Sequence, residues 1–230
     1  MTVTYAEVMR QASGILQDEG AVRWTALELY DWINLALADI FALKPNAKTQ
    51  VATLTLAAGV QQTLDLQYAL VLQFRRNGGG GRAVRMLDNL ATLDNWSPDW
   101  TDPTKLPNAA VIQYVYQDPL TPRQFYVIPG ATTAATLEAV VAVAPTPGAK
   151  PVAADQIDPT KYTAAIDLPD AYRTAVLHFA LARAFSKDGD NAAGANQAQA
   201  HRAMAVEAIN SITAGEAAMS AGARTRKTAG

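Results

Sequence analysis

The chain contains no cysteine and only two histidines in 230 residues. Without cysteine there is neither a disulfide framework nor a thiolate metal site, which fits a reducing compartment. His178 and His201 fall on separate predicted helices. A histidine metal site needs a third ligand, and no spacing supplies one, so both are read as partly buried or interfacial side chains. Charge is sparse too: 17% of residues are Asp, Glu, Lys or Arg, low for a monomer with a fully solvated surface. The net charge is −2 and the pI about 5.7, so the basic field of a general nucleic-acid binder is missing. No uninterrupted apolar run is long enough to span a bilayer. The opening Met1-Thr2-Val3-Thr4 has neither the basic nor the apolar region of a signal peptide.

Catalytic constellations are missing as well. Asn77-Gly78-Gly79-Gly80-Gly81 lacks a following Lys-Ser/Thr and opens no helix, so it fits neither phosphate-binding fingerprint. It reads as a flexible hairpin tip, with Arg75, Arg76, Arg82 and Arg85 close by to touch a partner or DNA, or simply to solvate the end. Asp94, Asp99 and Asp102 do not have EF-hand spacing. Glu138 has no carboxylate partner for glycoside chemistry. Trp96 and Trp100 either pin their long loop to a sheet or stack on a sugar or a base. No cofactor, metal or catalytic residue is expected.

What is present is an ample apolar supply: half of the residues are hydrophobic, many of them alanine. Residues 23–43 read as a central helix. Thr25 caps it, Glu28 closes a capping box, and Lys44 and Pro45 end it. Ala26, Leu29, Tyr30, Ile33, Leu37 and Ile40 form a broad apolar face opposite a narrow stripe of Glu28, Asp31 and Asp39. Leu35 lies inside the polar stripe and Trp32 beside it. Either a neighbouring subunit covers them, or they are singly exposed apolar residues of the ordinary kind.

In chain order, Thr4 to about Glu19 is a first helix with a Thr4–Glu7 capping box, closed by Gly20 and expected to pair antiparallel with the second. Val51–Leu56 and Val60–Leu66 read as a β-hairpin across Ala58-Gly59. Leu70–Arg76 and Ala83–Leu87 read as a second hairpin across the glycines, and Asp88 as the cap of one helical turn holding Leu90 and Leu93. Residues 95–108 are irregular. Strands return at Val111–Tyr116, Gln124–Ile128 and Thr136–Val143. A proline-rich link leads to Leu168-Pro169-Asp170, which starts a helix with two apolar faces: Leu177, Leu181, Ala184 and Phe185 on one, Tyr172, Ala175, Phe179 and Ala182 on the other. After Asp188-Gly189-Asp190, an alanine-rich helix runs from about Asn191 to Thr213 and ends at Gly215. The remainder carries Arg224, Arg226 and Lys227 without an acidic residue from Ala217 onward, the composition of a disordered tail.

The expected fold is therefore α+β: a helical bundle from N- and C-terminal helices, an inserted antiparallel β-rich subdomain and a flexible tail. The boundaries are 1–45 and 167–215 for the bundle, 46–166 for the insertion and 216–230 for the tail.

Several short motifs, taken in order, resemble a family of tailed-phage virion proteins. They are Arg23-Trp24-Thr25 with Trp32-Ile33-Asn34 and Leu43-Lys44-Pro45, then Gly81-Arg82-Ala83-Val84-Arg85, Pro98-Asp99-Trp100 and Tyr114-Val115-Tyr116. Arg123-Gln124-Phe125-Tyr126-Val127, Leu168-Pro169-Asp170 and Arg183-Ala184-Phe185-Ser186-Lys187-Asp188 continue the series. The chain resembles phage head-to-tail adaptors, including the tail tubular protein A type. The resemblance implies a structural, non-enzymatic virion protein, assembled in the host cytoplasm. Its subunits would form a ring, usually twelve-fold, between the portal protein and a downstream tail protein, with genomic DNA passing through the lumen. It also implies a C-terminal portal-docking segment, carried onto Arg224, Arg226 and Lys227. The subunit interface is expected at Trp32, Leu35, Tyr172 and Phe179, since a ring joins two different faces of each subunit. A tail-tube or tail-completion subunit is the runner-up. A non-enzymatic sugar- or nucleic-acid-binding protein using Trp96 and Trp100 is the reading from another class.

Overall fold

A computed structural model describes the backbone of residues 2–187 and 192–228 and the side chains of residues 2–187 and 193–219. The chain divides into two compact units, Met1–Ala47 with Pro145–Gly230, and Lys48–Ala144. The α+β expectation holds.

The first unit is helical. Helix α1 spans Tyr5–Leu16 and α2 spans Ala26–Leu43, each with its expected capping box, Thr4–Glu7 and Thr25–Glu28. Helix α1 ends before Gly20: Gln17 takes the left-handed conformation at φ 55° and closes it. The Asp18 carboxylate then accepts from the backbone N–H of Val22, Arg23 and Trp24 at 2.9–3.0 Å. These bonds, that of Trp24 foremost, hold its pKa below the ordinary value, and they shape the turn into α2. Helix α4 spans Arg173–Lys187 and α5 spans Ala192–Thr228.

Helix α4, rather than α2, is the centre of the bundle. It packs against α1, α2 and α5. Its two apolar faces are thereby explained within one chain: Ala175, Val176, Phe179, Ala180, Leu181, Ala182 and Ala184 are all buried. Tyr172 and Phe179, expected at a subunit interface, are 3% and 0% exposed. They are covered by their own chain and build its core.

The expected stop at Gly215 is absent, and α5 continues through it to Thr228. Glycine costs a helix about 1 kcal/mol relative to alanine, and the flanking contacts offset that. Lys44, at the end of α2, donates to Glu216 at 2.8 Å and to Thr213 at 3.2 Å, on either side of Gly215. Asp188, Gly189, Asp190 and Asn191, read as a turn and helix start, lie outside the described residues.

The proline-rich link, expected to lie in the β insertion as far as 166, belongs to the bundle from Pro145 onward. Gly148 passes between two tyrosines. Its N–H donates to the Tyr5 hydroxyl at 3.0 Å and its carbonyl accepts from Tyr30 at 2.6 Å. A Cβ there would stand 2.6 Å from the Tyr5 ring, so only glycine fits. Tyr162 completes the cluster against Tyr30, fully buried.

The second unit holds two sheets. One has the order β1-β7-β3, built from β1 (Thr49–Thr55), β3 (Leu70–Asn77) and β7 (Thr136–Ala142). The other has the order β2-β6-β5-β4, from β2 (Gly59–Thr63), β4 (Arg85–Met86), β5 (Tyr114–Gln117) and β6 (Gln124–Ala131). Their apolar faces share one core, with Phe74 and Phe125 ring centroids 4.9 Å apart. All pairings are antiparallel except β4 with β5.

Both expected hairpins are corrected. β1 and β2 do not pair: Gly59, at φ 111°, turns the chain from one sheet into the other. The buried Gln62 amide holds that crossing through the backbone of Ala57 and Gly59. After the glycines only Arg76 and Ala83 bridge back, and β4 then joins the other sheet. Alternation sets which face of a strand is buried, but it does not set the partner. The helical turn after β4 is α3, Leu90–Trp96, capped by Asn89 rather than Asp88.

Candidate functional site

The residues singled out from sequence gather in three places. The first is the outer side of α2. Leu27, Leu35, Ala38 and Ala42 are exposed there, Leu35 at 50%. Trp32 is half-buried against the bundle core. The three carboxylates of this side are all paired within the chain: Glu28 with Lys187 at 2.8 Å, Asp31 with Lys150 at 3.3 Å and Asp39 with Arg183 at 2.6 Å. Exposed pairs of this kind contribute little stability. They do leave an apolar stripe of small and branched side chains whose neighbouring charges are already compensated. The Lys187 ammonium lies first among the groups that hold the Glu28 carboxyl below its ordinary pKa.

The second place is the loop from α3 to Leu106, on the outside of the β2-β6-β5-β4 sheet. Trp100 is buried with Leu93 and Ile128, its Nε1 donating to Asp94 at 2.8 Å. It pins the loop. Trp96 is 71% exposed and meets Tyr114 edge-on. An open cleft of about 340 Å³ lies between them, but only one of the two indoles has a free face for stacking.

The third place is the turn after β3. Asn77, 5% exposed, fills it. Its amide donates to the carbonyls of Arg82 at 2.8 Å and Ile112 at 2.9 Å, and its Oδ1 accepts from Ile112 N–H at 2.7 Å. Ile112 leads into β5, so this one side chain ties the two sheets together. A Cβ at Gly78 would lie 2.0 Å from Thr136 Oγ1. The turn expected to be a flexible tip is a fixed one.

His178 and His201 meet across α4 and α5, their Nδ1 atoms 3.0 Å apart, and Phe185 stacks on His201. Burial lowers the pKa of both, and for His201 the neighbouring His178 adds to it. Among the described residues no three His, Asp or Glu side chains converge on a metal site. No helix among them is long and apolar enough to cross a membrane. The side chains of Arg224, Arg226 and Lys227 lie outside the described residues.

Sequence reasoning missed Asp18, Asn77, Lys44 and Gln62. Lys44 and Asn77 act on groups that only the fold brings near, whereas Asp18 and Gln62 bond backbone three to six residues away and carry no periodic or capping signature.

The motif residues mostly hold the fold. The Trp24 indole donates to the Ala184 carbonyl at 3.0 Å, and Lys187 donates to the Arg23 carbonyl at 2.8 Å. Arg123 donates to the carbonyls of Tyr68 and Leu64, both at 2.9 Å. No curated protein matches the chain at a significant level. The family model described as SU10 adaptor protein matches residues 3–226, through both units. The chain therefore belongs to the SU10 adaptor protein family and is a structural phage adaptor.

Proposed function

We propose that the protein is one subunit of a ring, twelve-fold by resemblance to tail tubular protein A, at the junction of phage head and tail. It docks on the portal protein, receives a downstream tail protein and lets genomic DNA through its lumen, having been assembled in the host cytoplasm. The observation that carries this reading is the outer side of α2. A ring needs two different complementary surfaces per subunit. A stripe of Leu27, Leu35, Ala38 and Ala42 gains from being covered, and the carboxylates beside it, already paired, cost less to cover than lone charges would. Leu35 leads this interface, with Trp32 at its edge. Portal docking is assigned to the end of α5, at Arg224, Arg226 and Lys227.

The test is the mass of the purified protein, alone and with its cognate portal, by mass photometry. A ring, or a complex of fixed stoichiometry with the portal, supports the reading. A chain that stays monomeric and ignores the portal overturns it. Assembly with tail components and not the portal would instead favour a tail-completion subunit. Leu35→Glu is expected to lower assembly at least tenfold while leaving the melting temperature within about 2 °C, because the residue is half-exposed in the monomer. Removing residues 220–230 keeps the Lys44–Glu216 contact and is expected to weaken portal docking alone.

A further inference from the structure

Arg76, Arg82 and Arg85 are exposed around the turn after β3, and none has a hydrogen-bond or ion-pair partner for its side chain among the described residues. Arg75, the fourth cation here, is paired with Glu138 at 3.7 Å. Arg76 bridges to Ala83, and Arg85 stands two residues further along that returning chain. Arg82 sits in the turn and Arg85 opens β4 where the chain enters the other sheet, so the three exposed arginines flank the glycines within a few residues.

The turn between them is firmly held. Gly78 N–H donates to Thr136 at 2.8 Å, Gly81 N–H to Asn77 at 3.1 Å, and the Asn77 amide fills the inside. Gly79 and Gly80 are both left-handed, at φ 65° and 79°. Their N–H groups make no hydrogen bond among the described residues. Successive unused N–H groups in a tight turn form a concavity that favours an anion.

We propose that this turn binds the phosphate backbone of double-stranded DNA without reading its sequence. The ligand class follows from the donor set. Three guanidinium groups and two peptide N–H groups donate only, and a phosphodiester presents only acceptors. No aromatic side chain is interleaved with the arginines, so nothing here stacks on the unpaired bases of a single strand. The scale fits a chain of net charge −2: three cations on each subunit make contacts that are individually weak, so DNA held by them can still move. That DNA is at hand rests on the adaptor reading above.

The experiment is fluorescence anisotropy of a labelled duplex of about 30 base pairs with the full chain, at about 20–200 mM salt. Wild type is expected to bind two unrelated sequences equally, with affinity falling as the second to third power of salt, since each neutralised phosphate contributes a slope of about 0.9. The triple variant Arg76→Ala/Arg82→Ala/Arg85→Ala is expected to lose at least tenfold in affinity at low salt. Arg10→Ala, an exposed arginine of α1, is expected to lose less than twofold. Absence of duplex binding by wild type, or equal binding by the triple variant, overturns the proposal. So does tighter binding of poly-glutamate at matched charge, which would mark an acidic protein face as the ligand. Wild type is also weighed with the portal. Wild type that assembles with the portal but fails to bind duplex removes only this proposal, whereas wild type that fails to assemble removes the ring reading above.

Discussion

At the turn after β3, one amide side chain satisfies two carbonyls and one N–H in a place that water barely reaches. Asn77→Ala leaves the Ile112 N–H and carbonyl without that partner, and a buried unsatisfied group costs about 1–3 kcal/mol. The expected loss is about 3 kcal/mol, read as a fall in the urea midpoint of the β unit. Asn77→Asp does not rescue it, because a carboxylate cannot donate to the two carbonyls. The His178–His201 contact gives a different residue-scale expectation. Burial holds both pKa values below the ordinary 6.5, so the unfolded chain binds protons more readily than the folded one. The stability they contribute is complete above about pH 6.5 and is lost as pH falls through that value and on through the folded values. Two protonated rings 3.0 Å apart would also repel. Melting temperature against pH should therefore decline from about 6.5 downward. His178→Gln/His201→Gln should remove that early decline and keep the later one from carboxylates such as Asp18 and Glu28.

At the scale of elements, local chemistry and long-range contact divide the explanation. The starts of α1 and α2 were readable because a capping box is closed within four residues. The two-faced pattern of α4 was readable too, but what covers each face was not. The pattern is satisfied equally by a neighbouring subunit and by a second helix of the same chain. Here α2 and α5 cover it. The far end of α5 shows the same limit. Gly215 reads as a stop because glycine is a frequent helix terminator, yet Lys44, 171 residues away in sequence, holds Glu216 beside Thr213. Lys44→Met keeps the buried stem and removes the ammonium. Backbone amides of α5 beyond Thr213 are then expected to exchange several-fold faster, with those near Ala205 and Ile209, both buried, unchanged. Equal exchange along α5 would show that Glu216 does not carry its continuation.

For the whole molecule, two separate cores matter more than the number of elements. Lys48 and Val143 are hydrogen-bonded at 3.1 Å, and Thr49 pairs with Ala142, so the β unit begins and ends at one place. A unit with its own core and adjoining ends is expected to fold alone. Residues 48–144 expressed by themselves should give a cooperative urea transition and dispersed amide signals. A molten spectrum would mean that the bundle is needed to order the sheets. The strands themselves were legible from Leu54 and Leu56, both buried, although Val51, read with them, is exposed and Ala52 takes the inward place. Their partners were not, because pairing closes over long loops and β1 meets β7 rather than its neighbour β2.

The amino-acid sequence alone determined the α–β–α order, the capped starts of the first two helices, the apolar face of α2 and membership of an adaptor family. All of these depend on residues close in the chain or on motifs kept in order. Contact across the fold determined the rest: α4 at the centre of the bundle, the exchange of strands between two sheets, the fixing of the glycine turn by Asn77, and the burial of Tyr172, Phe179 and Trp100. Those outcomes depend on which distant surfaces are covered together. The free energy of covering a surface is the same whichever apolar neighbour supplies the cover.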